Sequence, residues 1–181
     1  MAFDRISIVG KPGAGKSTLA STLSQKLNLQ NIELDALSWE ANWTQNSPAA
    51  MRAKADPLLP ADGHWVADGN YTSHVQDIVW TRAQTLIWLD YPLHIALWRV
   101  FKRTVWRIWS GAELWNGNRE TLGHHLAGIW DLDENLFVWC WRMHWRHRRD
   151  FPVAFEKGEF RHLRVLRFRS PRETEEWVGT L

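Results

Sequence analysis

The sequence predicts an α/β fold, a parallel sheet of five strands with helices on both faces. Three observations predict it. Short β-branched runs alternate with helical patterns along the chain, which implies right-handed βαβ crossovers. The most apolar run, Thr85-Leu86-Ile87-Trp88-Leu89, has the continuous character of a strand buried on both faces. A glycine-rich loop, Gly10-Lys11-Pro12-Gly13-Ala14-Gly15-Lys16-Ser17, stands between the first strand and the first helix.

In chain order, Arg5–Val9 is the first strand. Thr18–Leu27 reads as a helix with Leu19, Leu23 and Leu27 on one face. Asn31–Leu34 is the second strand, ending at Asp35, and residues 36–46 read as irregular. Ser47-Pro48 places an N-cap and a first-turn proline at the head of a helix to about Leu59. His64–Ala67 is the third strand, ending in Asp68-Gly69-Asn70-Tyr71, and a brief helix is expected from about Ser73 to Trp80. After strand four, Pro92 opens a helix to about Trp109. Residues 110–133, punctuated by four glycines, read as an insertion in an otherwise single domain of residues 1–181. Asp131 or Asp133 would cap a helix to about Asp150. Leu163–Phe168 alternates basic and apolar residues like an edge strand, and Ser170-Pro171-Arg172-Glu173 begins a last helix with a capping box.

Composition narrows the function. The 181 residues suit one domain. No apolar run nears the roughly 20 residues of a membrane span, and no secretory leader is evident, so a cytoplasmic location is expected. The lone Cys140 has no disulfide or zinc partner. Residues 1–90 carry seven Lys/Arg against nine Asp/Glu, and residues 91–181 fifteen against eleven. The basic second half suits a polyanionic ligand. A net charge of only +2 weighs against a nucleic-acid partner, although helix 139–149 is basic and Trp-rich. Of fourteen tryptophans, many fall in 98–145, where a core or an interface is the expected place for them. His144 and His147, with no further ligands at metal spacing, read as polar surface or lid residues.

The glycine loop fits G-x-x-x-x-G-K-[ST]. Glycines let successive N–H groups converge on a phosphate, and the helix N-terminus adds partial positive charge. Gly10, Pro12, Gly13, Ala14, Gly15, Lys16, Ser17 and Thr18 are therefore the expected nucleotide site. Lys16 would reach the β- and γ-phosphates of ATP, and Ser17 would ligate Mg²⁺. Ligands of such sheets bind beyond the carboxyl ends of the strands, which directs attention to Asp35, Asp68 and Asp90. Asp68 is the candidate metal-side carboxylate. Asp35 could orient or deprotonate an acceptor hydroxyl. Asn70 and Tyr71 would face the same cleft. Arg99, Arg103 and Arg107 lie four apart on one helical stripe and lead into the insertion, where arginines can clamp a transferring phosphoryl group.

This order of features resembles the adenylate kinase-like small P-loop kinases. More closely, Ile-Glu-Leu-Asp-Ala-Leu (32–37), Trp-Val-Ala-Asp-Gly-Asn-Tyr (65–71), Trp-Leu-Asp-Tyr-Pro (88–92) and Glu-Leu-Trp-Asn-Gly-Asn-Arg-Glu (113–120) resemble a bacterial group. That group goes by the names adenylate kinase-like or DNA topology modulation protein. The resemblance implies a P-loop NTPase fold of nucleoside-monophosphate-kinase type, with strand order 2-3-1-4-5 and a helical lid at about 110–133. It implies Lys16 and Ser17 at phosphate and Mg²⁺, Asp68 as the metal-side acid, Arg99 or Arg103 at the lid's start, and Arg119 with Arg142 or Arg146 on the lid side. Adenylate kinases follow the Asp-Gly of strand three with Phe-Pro-Arg, whose arginine grips the acceptor phosphate. This chain has Asn70-Tyr71-Thr72 there, and its Asp35 resembles the aspartate of small kinases that phosphorylate hydroxyls. The expected activity is transfer from Mg·ATP to a small-molecule acceptor. A nucleoside monophosphate kinase and a nucleotide-switched DNA- or partner-binding ATPase are the alternatives. The sequence sets no oligomeric state.

Overall fold

The computed structural model describes residues 3–70, 74–118, 136–156 and 158–181. Strands β1 (Arg5–Gly10), β2 (Gln30–Glu33), β3 (Trp65–Asp68), β4 (Thr85–Leu89) and β5 (Arg164–Phe168) form one sheet in the order β2-β3-β1-β4-β5. Every pairing is parallel. Ile8 lies level with Asp68 on one side and Ile87 on the other, and Gly10 is level with Leu89. The loop after β1, Asp68 and Asp90 therefore share one edge of the sheet.

Alternation along the strands builds two cores. Leu86 and Trp88 face a cluster with Met51, Val79, Trp80 and Phe151, while Ile87 and Leu89 face one with Leu19, Leu23 and Tyr91. The first cluster takes side chains from α3 (Pro48–Ala55), α4 (Gln76–Arg82) and α6 (Leu136–Glu156). The second is covered by α1 (Lys16–Leu27) and α7 (Pro171–Gly179). The expected caps form. Ser47 Oγ accepts from the Ala50 N–H, and Ser170 Oγ from the Glu173 N–H. Glu173 reaches back one residue beyond the usual capping box, to the N–H of Arg169. As the alternating pattern implied, β5 is an edge strand, with Arg167 lying over the Trp88 ring at 4.2 Å.

Four expectations are corrected. Residues 36–46 are not all irregular, because β2 passes straight into α2 (Leu34–Ser38), which buries Leu34 and Ser38. Helix α6 runs to Glu156 through Pro152, because Phe151 and Phe155 pack on Trp80 and Trp88. That packing outweighs the backbone hydrogen bond a proline forgoes. Of the core or interface expected for the tryptophans of 98–145, the described ones do not take the core: Trp98, Trp106, Trp139, Trp141 and Trp145 are exposed, and Trp109 is 85% exposed. The buried stripe of α5 (Leu93–Ser110) is made instead of the small residues Ala96, Val100 and Thr104. His144 and His147 are buried, not superficial. The lid expected at 110–133 falls outside the described residues beyond Asn118. Among the described residues, no helix is long and apolar enough to cross a membrane.

Candidate functional site

The loop between β1 and α1 is held open by glycine. Gly15 caps α1 at φ +93°, and Gly13 has φ +75°. A Cβ on Gly13 would stand 2.3 Å from the Ala96 carbonyl oxygen, so α5 packs directly on the loop backbone. Any side chain there would force the two apart. Arg99 braces the same place. Its Nη1 donates to the Ala14 carbonyl at 3.4 Å, and its guanidinium lies 5.6 Å from the Tyr91 ring. Asn70 brackets the loop's first residue, accepting from the Gly10 N–H at 3.0 Å and donating to the Gly10 carbonyl at 2.6 Å. Cys140 donates to the Pro12 carbonyl at 3.5 Å. Thr18 is exposed in the first turn of α1.

Beneath the loop lies a charge cluster. Asp90, 2% exposed, meets Lys11 Nζ at 3.9 Å, Arg148 Nε at 2.9 Å and Arg167 Nη2 at 2.6 Å. Burial pushes the Lys11 ammonium down to about 8, against the attraction of Asp90, and burial likewise lowers Lys16. Lys16 Nζ lies 3.5 Å from the Lys11 carbonyl, within the span of the loop it would serve.

Ser17 Oγ donates to Asp68 Oδ2 at 2.7 Å, which joins the two residues expected at a metal. Burial raises the Asp68 carboxyl to about 6, opposed by the Ser17 hydrogen bond and by Lys16. Its other oxygen, Oδ1, is buried with no hydrogen-bond partner. Two hard oxygens, one of them unsatisfied, fit a Mg²⁺ ion that arrives with phosphates. Among the described residues no group of three or more His, Cys, Asp or Glu could hold a metal unaided.

Lys16 and Asp35 line one cavity of about 850 Å³. Arg103, Arg107, Arg146 and Arg149 line it as well, whereas Arg142 and Arg99 do not. Arg142 is exposed on α6, and Arg119 lies outside the described residues. His147 faces this cavity while its ring stacks on Phe151 at 4.4 Å and 11°. Burial drives His147 down to about 3 and His144 to about 4, so both are neutral near pH 7.

The opposite wall joins two distant segments. Trp39 and Trp43 meet edge to face at 5.6 Å. Trp115 Nε1 donates to Glu33 Oε2 at 2.9 Å. Buried Asn118 accepts from the Trp43 N–H at 2.8 Å and donates to the Glu40 and Trp115 carbonyls, each at 2.8 Å. Asn116 donates to the Trp39 carbonyl. Asn42 and Trp43 are successive residues in the left-handed region, at φ +59° and +55°. For a bulky residue such as Trp43 that conformation costs about 1–2 kcal/mol, and only over-determined surroundings hold it.

Sequence reasoning passed over Asn118, Arg148 and Arg167. The alternation of β5 signalled that Arg167 would leave the sheet plane, but not that it would find Asp90. Asn118 gave no signal beyond belonging to the run 113–120.

The comparisons with known proteins agree with this architecture. Residues 6–58 match the model of the family described as ATPase family associated with various cellular activities (AAA), less than half of the chain. No curated protein matches the chain in sequence. Among solved structures, deoxyadenosine kinase from M. mycoides with bound dATP is similar at 13% identity and a TM-score of 0.54, covering 97% of each chain. The same enzyme with bound dCTP is similar at 13% identity and a TM-score of 0.50, again over 97% of each chain. The chain thus has a P-loop NTPase fold of the small-kinase type.

Proposed function

We propose that the protein is a P-loop kinase that moves the γ-phosphoryl group of Mg·ATP to the hydroxyl of a small acceptor. The observation that carries this reading is the shared cavity: Lys16, from the phosphate loop, and Asp35, from the first turn after β2, line the same space. The acceptor oxygen attacks the γ-phosphorus, and the bond to the β,γ-bridging oxygen breaks with its electron pair leaving on ADP. The hydroxyl proton passes to the Asp35 carboxylate and from there to water.

Lys16 and the arginines 103, 107 and 146 offset charge on the transferring group. Arg146, which lines the cavity, takes the role that the resemblance left between it and Arg142. Arg119 is retained as a lid-side arginine on the resemblance alone. Ser17 and Asp68 would hold Mg²⁺, which when bound neutralises triphosphate charge. The likeness to a kinase named for a nucleoside supports a hydroxyl acceptor over a phosphate one.

Lys16→Ala tests the reading. ATP turnover should fall by about a thousandfold while the unfolding midpoint is little changed; undiminished turnover would sink the mechanism.

A further inference from the structure

We infer that the acceptor is an uncharged, flat ring compound bearing a free hydroxyl, a nucleoside being the fitting type, and that Asn118 assembles the wall that receives it. This rests on the phosphotransfer reading above and adds the acceptor's class to it.

The cavity is segregated by chemistry. Residues 35–45 contribute Asp35, Trp39, Trp43 and Gln45 to its lining, and residues 70–76 contribute Asn70, His74 and Gln76. Among the described lining residues, neither segment supplies a lysine or arginine. The lysine and arginines of the described lining come from other elements: Lys16 at the start of α1, Arg103 and Arg107 on α5, Arg146 and Arg149 on α6. The nearby cations of the acceptor side are each paired with a carboxylate, Arg52 with Asp77, Lys54 with Glu40 and Arg82 with Asp56. Among the described residues, a phosphate group on the acceptor would therefore find no lysine or arginine contributed to the lining by the segments that carry Trp39 and Trp43, whereas a triphosphate beside α1, α5 and α6 would find several.

What the acceptor side does offer is aromatic surface and amides. The near-perpendicular rings of Trp39 and Trp43, 81° apart, make a corner with Trp115 also on the cavity. Flat heteroaromatic rings gain contact on such surfaces, and the amides of Gln45 and Gln76 can pair with polar ring edges. The corner is not loose. Asn118 satisfies both ends of its amide across residues 40–43 and 115, and its carbonyl oxygen holds the N–H of Trp43 in the left-handed conformation. Strained backbone at a ligand wall is the usual mark of a surface fixed before the ligand arrives.

The test is ATP turnover with adenosine, uridine, AMP or shikimate as acceptor, beside calorimetric ATP binding, for the wild type, Trp43→Ala and Asn118→Ala. The inference expects a nucleoside to stimulate turnover about tenfold or more, ahead of AMP and of the non-aromatic shikimate. Both substitutions should raise the nucleoside KM about tenfold and leave the ATP Kd within about twofold. Should Asn118→Ala not fold, Trp43→Ala carries the comparison alone. Stimulation by AMP or shikimate equal to that by a nucleoside overturns the inference. So does normal ATP binding without nucleoside stimulation, or an unchanged nucleoside KM in Trp43→Ala. A wild type that binds no ATP overturns the phosphotransfer reading and this inference with it.

Discussion

Set side by side, the phosphate loop and the indole wall differ in how far apart in the chain their parts lie. The loop is one stretch, Gly10–Ser17, whose shape comes from glycine backbones and whose supports converge on it from four elements. The wall joins residues 33–43 to 115–118, and its central hydrogen bond spans 75 residues. The loop uses residues that relieve strain at positive φ, whereas the wall places Asn42 and Trp43 where strain is retained. The difference teaches that binding phosphate requires backbone freedom written locally. The indole wall instead has side chains fixed by remote contacts.

Three experiments press on that comparison. The largest effect is expected from Asp90→Asn, which leaves Lys11, Arg148 and Arg167 without their carboxylate beneath the loop. Loss of one partner from a buried ionic cluster costs about 3–5 kcal/mol, a midpoint lowered by roughly 6–20 °C. A shift of less than about 2 °C would mean that the loop stands without its charged support. Next is pH. The folded chain keeps His147 at about 3, below the ordinary 6.5, so between those values only the unfolded chain binds the proton. This contribution to stability is complete above pH 6.5 and is lost as pH falls toward 3, by roughly 2.7 kcal/mol at pH 4.5. Thermal melts from pH 4.5 to 7 should show the decline in the wild type and a flatter curve in His147→Phe, which keeps a ring over Phe151. Parallel curves would remove His147 as the cause. The smallest effect belongs to Asn42→Gly, which relieves one left-handed residue of the wall. It should raise stability by about 0.5 kcal/mol, read from urea midpoints. A loss would show that Asn42 supports the wall in its own right.

The legibility of the sequence follows the same divide. The strands and the loop were readable because each is set by local pattern or by motif spacing, whereas the strand order came from the resemblance to small P-loop kinases. The position of Asp35 just after a strand was readable, although it lies in the first turn of a helix where a loop was expected. His144 and His147 were misjudged because a pair three apart on a basic helix looks solvated until the packing of α6 is known. Of the core or interface expected for the tryptophans, only the core is overturned: close approach to the Gly13 backbone selects Ala96 and Val100 for the inward stripe of α5. Asn118 could not have been found from spacing, since its partners are set by the tertiary meeting of two short turns.

That small-residue stripe also makes α5 a lever. Its fulcrum is Ala96, pressed against the phosphate loop, and Arg107 stands eleven residues further along the same rod. At about 1.5 Å per residue the arm is roughly 16 Å, so a tilt of about 10° at the fulcrum carries the Arg107 backbone roughly 3 Å, the length of a hydrogen bond. The place of Arg107 in the cavity is thus sensitive to the angle at which α5 meets the loop. The stiffness of one helix links the loop's geometry to the cavity's charge.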